Sequence, residues 1–254
     1  MTRAAIILAG GKGKRMNSSG PKVLVELDGR PLLGYVLAAV RGAGVDRVVA
    51  VIGHEREKVR SRFADADDVE WVVQEPQLGT GHAVQVTEPA LRGFDGEVLV
   101  LVGDAPLITS DVLTRLAAHQ HETQAACTFL TTHVPDPDGY GRVVRGDDGR
   151  VTAIVEHRDC TDEQRRIDEI STSHYCFAAG TLYPTVNRLT NDNDQREYLL
   201  TDCVALLLAD GRRVETVTAD DHREVVGINL PEQLAEAERL KAALAAAKGP
   251  DRNG

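Results

Sequence analysis

At 254 residues the chain is long enough to bury a sizeable core, and its 27% charged and 42% hydrophobic residues exclude a disordered or fibrous class. A formal net charge of −10 argues against broad binding of nucleic acid, which needs dense Lys and Arg. No segment approaches the roughly 20 apolar residues of a bilayer span, and the opening apolar run, Ala4 to Ala9, is too short for a signal peptide, so no membrane partner and a cytoplasmic location are expected.

In chain order, Ala4 to Ala9, Arg47 to Ile52, Val69 to Gln74 and Val98 to Val102 are short aliphatic runs that read as buried strands. Between them, Pro31 to Arg41, Glu55 to Phe63, Gly81 to Leu91 and Asp111 to His121 have helical length and spacing, with Pro31 suited to a first turn and Ser110 to a cap. The alternation predicts an α/β fold: a Rossmann-like, mostly parallel sheet with helices on both faces. Right-handed crossovers would then bring the loops at 10–22, 74–81 and 103–106 to one crevice beyond the strand ends.

The middle changes character. Arg142 to Val144 and Val151 to Val155 flank the turn Gly146-Asp147-Asp148-Gly149, a hairpin signature. A strand is expected over Ile170 to Phe177, and helices over Thr181 to Leu189, Glu197 to Ala209 and Pro231 to Ala247. The hairpin predicts a small β subregion beside the main sheet. The reading is one unit over 1–248, with one half at about 1–110, a second at about 111–229, a helix at 231–247 and a disordered tail at 249–254. The four cysteines, Cys127, Cys160, Cys176 and Cys203, lack metal-ligand spacing and read as reduced and structural.

The chemistry begins directly after the first strand, in Leu8-Ala9-Gly10-Gly11-Lys12-Gly13-Lys14-Arg15-Met16. Glycines let backbone N–H groups approach phosphate oxygens, and cations neutralise them. The loop is not a P-loop, because its lysines are not preceded by G-x-x-x-x-G or followed by Ser or Thr. Nor is it the dinucleotide fingerprint, since Met16 stands where the third Gly would be. Lys22, after Pro21, can reach a phosphate from the end of the loop.

Taken together, LAGGKGKRM with PKVL, WVVQEPQLGTGHAV, LVGDAPLI, DGYGRVV, AIVEHRD, NDNDQREYLLTD and GIN resemble, in order, the sugar-1-phosphate nucleotidyltransferases. Among these the likeness is to the uridylyltransferase domain of the bacterial bifunctional N-acetylglucosamine-1-phosphate uridylyltransferase/glucosamine-1-phosphate acetyltransferases, and it covers roughly residues 4 to 240. The β-helix that carries acetyl transfer in those enzymes has no counterpart here, so that activity is not expected. The resemblance implies catalysis by Arg15 and Lys22. It implies nucleotide binding by Leu8, Ala9, Gly10, Gly11, Gly13, Gln74, Gly79 and Thr80, with Gln74, Gly79 and Thr80 around the base. It further implies sugar binding through Gly141, Glu156, Ser171, Leu199 and Thr201, and a Mg2+ cofactor held by Asp104 and Asn229. That pair suits Mg2+, which takes oxygen ligands, keeps several waters and bridges substrate phosphates.

The implied reaction joins a nucleoside triphosphate, UTP above others, to a sugar-1-phosphate such as N-acetylglucosamine-1-phosphate or a related hexose or cyclitol phosphate, releasing pyrophosphate. A phosphate monoester is largely doubly ionised at neutral pH, so no general base is needed and a direct in-line displacement is expected. His54, His82 and His174 are left without a chemical role, because spacing pairs none of them with a nucleophile.

Two positions depart from the family pattern. Glu169-Ile170-Ser171-Thr172-Ser173 carries Ser171 where the family has Asn, and Glu197-Tyr198-Leu199-Leu200-Thr201-Asp202 carries Leu199 where the family has an aromatic. Both fall on the sugar side, so an altered acceptor is one expectation. Gly10 stands where the family usually has Ala near the base, which keeps GTP open. The alternatives are a GTP-dependent enzyme acting on a cyclitol phosphate, a non-catalytic nucleotide-sugar sensor, and a nucleotidyltransferase for a non-sugar acceptor. An oligomer is compatible with the sequence.

Overall fold

The computed structural model describes residues 2–13, 16 and 20–248. The first half runs β1 (Arg3–Leu8), a ribbon of β2 (Glu26–Leu27) and β3 (Arg30–Pro31), α1 (Leu32–Gly42), β4 (Arg47–Ile52), α2 (Arg56–Arg62), β5 (Val69–Val73), α3 (Thr80–Gln85), β6 (Glu97–Val102) and α4 (Ser110–Thr123). Then follow β7 (Cys127–His133), β8 (Arg142–Arg145), β9 (Val151–Val155), β10 (Glu169–Ala178), α5 (Ala179–Val186), α6 (Asp202–Ala209), β11 (Val214–Thr218), α7 (His222–Val225) and α8 (Pro231–Lys248).

Among the described residues nine strands form one sheet whose main path is β11-β7-β10-β6-β1-β4-β5, with the β8–β9 hairpin branching from β10. Neighbours along the path are parallel except at β10, which runs against both β6 and β7. The period-two alternation of side chains explains why the strands read as unbroken aliphatic runs. Ala5, Ile7, Val48, Ala50, Leu99 and Leu101 face one core, which packs on α1 and α4. Ala4, Ile6, Val49, Val51, Val98 and Val100 face the other, which packs on α3, α5 and α6. A sheet covered on both faces has no polar side, as the sequence predicts. Among the described residues no helix is long and apolar enough to cross a membrane, and the four cysteines are buried and unpaired.

Several elements differ from the sequence reading for local reasons. The strands β7 and β11 are absent from it, because buried threonines break the aliphatic pattern of β7 and β11 is a half-buried edge strand with alternating polar residues. Thr128 Oγ1 donates to Gln120 Oε1 at 2.6 Å and Thr132 Oγ1 to the Ala219 carbonyl at 3.2 Å, which satisfies hydroxyls that would otherwise be costly to bury. The helix expected from Glu197 begins only at Asp202. Residues 197–201 are drawn out instead against the 78–81 segment, where Tyr198 N donates to Leu78 O at 2.8 Å and Gly81 N to Tyr198 O at 2.7 Å. The helix expected over 81–91 is regular only to Gln85 and continues as turns. Thr109, not Ser110, caps α4, its hydroxyl accepting from Val112 N at 3.3 Å, and Pro31 precedes the first turn of α1. The tail at 249–254 lies outside the described residues.

Candidate functional site

The three loops predicted to converge do so at the carboxyl ends of the parallel strands. Ladder hydrogen bonds continue past the strands into them: Ala9 N donates to Val51 O at 2.8 Å, Gln74 N to Ile52 O at 2.8 Å and Gly103 N to Leu8 O at 2.9 Å. Two cavities open there. One, of about 540 Å³, is walled by Gly10, Gly11, Gly13, Lys22, Gln74, Gly79 and Thr80. The other, of about 380 Å³, is walled by Gly141, Glu156, Ser171, Leu199 and Thr201. They meet along Leu8, Thr80, Val102, Asp104 and Glu197, which line both.

At the junction stands Lys22. Its ammonium pairs with Asp104 and donates to Asn229 Oδ1 at 2.7 Å, with side chains only 13% (Lys22) and 18% (Asp104) exposed. Asn229 Nδ2 donates to the Gly227 carbonyl at 3.0 Å; a carbonyl only accepts, so this bond turns the amide oxygen toward the cation. Ile228 N donates to the Asp104 carbonyl at 2.9 Å, which ties this segment to the end of β6. Gly227 permits the approach, since a Cβ there would stand 2.6 Å from Asp104 Oδ1. Two side-chain oxygens thus converge on one positive charge at the boundary of the cavities. Among the described residues no cluster of three or more His, Cys, Asp or Glu could hold a metal.

The larger cavity is fixed on its far side by Gln74, whose Nε2 donates to the Gly79 carbonyl at 2.9 Å. Gln77 donates to the Gly10 carbonyl and also lines the cavity. Gly79 has φ +112, and a Cβ on it would lie 2.5 Å from the Tyr198 carbonyl, so only glycine lets the 78–81 and 197–200 segments touch. The Thr80 hydroxyl accepts from Leu200 N at 3.0 Å, pinning the same two segments where the cavities join.

In the smaller cavity, Thr201 Oγ1 donates to Glu156 Oε1 at 2.9 Å. Burial pushes the Glu156 carboxyl above its ordinary range, the Thr201 hydrogen bond opposes this, and Asp202 and Asp159 add to it. The Ser171 hydroxyl lies 3.4 Å from the Tyr175 hydroxyl. Between them the pairing of β10 with β7 shifts register and Ser173 takes φ +60. Such bulges re-aim side chains beside active sites.

Of the residues singled out in the sequence, Arg15 lies outside the described residues. The Ala9 side chain is buried in the core beneath the loop and lines neither cavity. The remainder line one cavity or the other. Sequence reasoning passed over Gln77, Tyr175 and Glu197 on these walls. Period-two spacing from Ser171 and Ser173 was the available signal for Tyr175, and membership of the QEPQLGTG loop the signal for Gln77.

The sequence matches the MobA-like NTP transferase domain over residues 5–207. It is 53% identical over 237 residues to the "Bifunctional protein GlmU" of Paracidovorax citrulli, which covers 92% of this chain and 49% of that protein. The proteins of the same name from Streptomyces coelicolor and Pelobacter propionicus are 48% and 46% identical, each over 93% of this chain and over 50% and 52% of their own lengths. The chain therefore spans about half the length of the relatives it matches. With a glycine loop on a parallel sheet, a lysine at the junction of two cavities and a domain match over most of its length, the chain belongs to the MobA-like NTP transferase family and is a nucleotidyltransferase.

Proposed function

We propose that the chain transfers a uridylyl group from UTP to a hexose-1-phosphate of the N-acetylglucosamine-1-phosphate type, releasing pyrophosphate. The observation that carries this reading is the meeting of two cavities at Lys22 and Asp104. The larger takes the nucleotide, with its base toward Gln74 and Gly79 and its phosphates along Gly11, Gly13 and Lys22. The smaller takes the sugar against Gly141, Glu156, Ser171, Leu199 and Thr201.

The acceptor phosphate is already largely ionised at neutral pH, so its oxygen attacks the α-phosphorus directly while the bond to pyrophosphate breaks. The protein's part is alignment and charge stabilisation. Lys22 lies against Asp104 and is placed to follow the charge from acceptor phosphate to leaving pyrophosphate. Thr201 and Glu156 hold sugar hydroxyl or amide groups, and the Gly79–Tyr198 contact keeps the two binding sites in register.

Asp104 and Asn229 fit a hard divalent cation such as Mg2+. Both aim oxygens at the point held by the Lys22 ammonium, and two protein ligands with waters and phosphates are typical of such a site. Bound there, with the Lys22 ammonium turned from Asp104 and Asn229 to the phosphates, the cation would neutralise triphosphate charge. Arg15 and the cation would share that work with Lys22.

The acceptor is the less constrained partner. Ser171 and Leu199, where the family resemblance has Asn and an aromatic, both line the smaller cavity, which supports a related hexose or cyclitol phosphate as a second reading. A grid of five nucleoside triphosphates against a panel of sugar-1-phosphates, scored by pyrophosphate release, tests both. UTP with N-acetylglucosamine-1-phosphate as the best pair supports the first reading, another sugar phosphate the second. No pyrophosphate from any pair would favour a nucleotide-sugar sensor. Asp104→Ala should abolish divalent-cation-dependent turnover in a folded protein, and unaltered turnover would remove Asp104 from the metal site.

A further inference from the structure

Gln74 is almost fully buried at the far wall of the nucleotide cavity, and both hydrogens of its amide nitrogen have partners. One goes to the Gly79 carbonyl at 2.9 Å. The other faces His82 Nδ1 at 3.1 Å. Because a carbonyl only accepts, the group beside Gly79 is the NH2, and Nδ1 opposite its second hydrogen must carry the lone pair. His82 is therefore neutral, with its proton on Nε2, and burial in the same wall favours that uncharged form. The ring is steadied by Tyr198, whose centroid lies 6.4 Å away and whose backbone is bonded to Leu78 and Gly81.

With both donors engaged, the amide's exposed side is Oε1, which looks toward Gly10, 3.5 Å from where a Cβ would stand on that residue. We infer that His82 is a positioning residue for base selection: by accepting from Gln74 Nε2 it locks the amide with its oxygen toward the base. A base that fits must then present an N–H at that point. Uracil, thymine and guanine carry an imino N–H; cytosine N3 and adenine N1 present a lone pair instead, leaving two acceptors opposed and unpaired. The inference rests on the proposed reading that this cavity holds the base, and it sharpens that reading to a class of bases.

Without the Nδ1 acceptor the amide can turn over and offer its nitrogen to cytosine. His82→Phe keeps a ring against Tyr198 and removes the acceptor; His82→Ala does so with no demand for volume; His82→Asn retains an acceptor oxygen. The parent and the three variants are compared by kcat/KM for UTP and CTP with a fixed sugar-1-phosphate. In His82→Phe, or His82→Ala should the former not fold, the UTP-to-CTP ratio is expected to fall by about ten-fold or more. The loss should lie in KM for UTP, with kcat changed by less than about three-fold. His82→Asn should keep the ratio within about three-fold of the parent. An unmoved ratio in the folded Phe or Ala variant, or an equal loss in His82→Asn, overturns the role of His82 while leaving the nucleotide reading intact. A parent that prefers CTP or ATP overturns the placement of the base and this inference with it.

Discussion

Gly79→Ala tests the joint that holds the two cavities together. A Cβ at φ +112 would lie 2.5 Å from the Tyr198 carbonyl, 2.8 Å from its nitrogen and 2.9 Å from Glu197 Cβ. The obstacle is backbone on one side and a short side-chain stem on the other, so neither can swing aside. Holding alanine at that φ costs about 1–3 kcal/mol. Moving the 197–198 segment away would also break the bonds from Tyr198 N to Leu78 O and from Gly81 N to Tyr198 O, each worth about 1 kcal/mol net. The sum is about 3–5 kcal/mol, a large part of the roughly 5–15 kcal/mol by which domains are stable. Urea denaturation should show that loss, and Tm should fall by roughly 6–20 °C. Because Gly79 also accepts from Gln74, KM for the nucleotide should rise. A variant within about 0.5 kcal/mol of the parent, with unchanged KM, would refute the claim that backbone contact here sets the site.

Lys22→Ala should lower kcat by about 10²–10³-fold with the urea midpoint little changed; a near-normal rate would take the residue out of the transfer step. Glu156 has a folded-state pKa raised by burial, so its favourable contribution is fully present below its ordinary value of 4.5 and is lost as pH rises through the folded value. Glu156→Gln should therefore be more stable than the parent near neutral pH, with the difference shrinking toward pH 4, and its acceptor KM should rise; a difference that does not vary with pH would contradict the burial argument. Ser171→Asn should raise kcat/KM for N-acetylglucosamine-1-phosphate over other acceptors by about ten-fold if the serine has loosened that choice, and an unchanged preference would show that the position does not set it.

Much of this was legible in the sequence because the larger cavity is built from strand-end loops, each a continuous run of residues. The alternation of aliphatic strands with amphipathic helices placed β1, β4, β5 and β6, and with them the loops that carry Gly10, Gln74 and Asp104. What escaped depends on contacts between distant segments. Lys22 and Asn229 meet across 207 positions. The stretch from Glu197 has helical spacing, yet its backbone bonds to residues 78–81 instead, an outcome no local pattern encodes. The threonines of β7 read as polar until their partners on α4 and the 219 carbonyl are known. His82 looked idle because its partner, the Gln74 amide eight residues earlier, comes within reach only when the intervening loop folds back on itself.

The placement of Ser171 and Ser173 on β10 separates the smaller cavity from the Lys22–Asp104 contact. Asp104 follows β6, and β10 pairs with β6 only over Tyr175 to Ala178. Ser171 lies beyond that pairing, on the far side of the register shift, where β10 answers to β7 and the hairpin instead, and Ser173 lies within the shift itself. A change at 171 or 173 therefore alters the smaller cavity without passing through the ladder that carries Asp104, and the Lys22–Asp104–Asn229 contact is tied down from elsewhere, by Gly227 and Ile228. If the smaller cavity holds the acceptor as proposed, substitutions on the bulge should change acceptor KM while leaving kcat with the preferred triphosphate little changed. On the proposed assignment, this would let the acceptor differ while the groups proposed for transfer are kept.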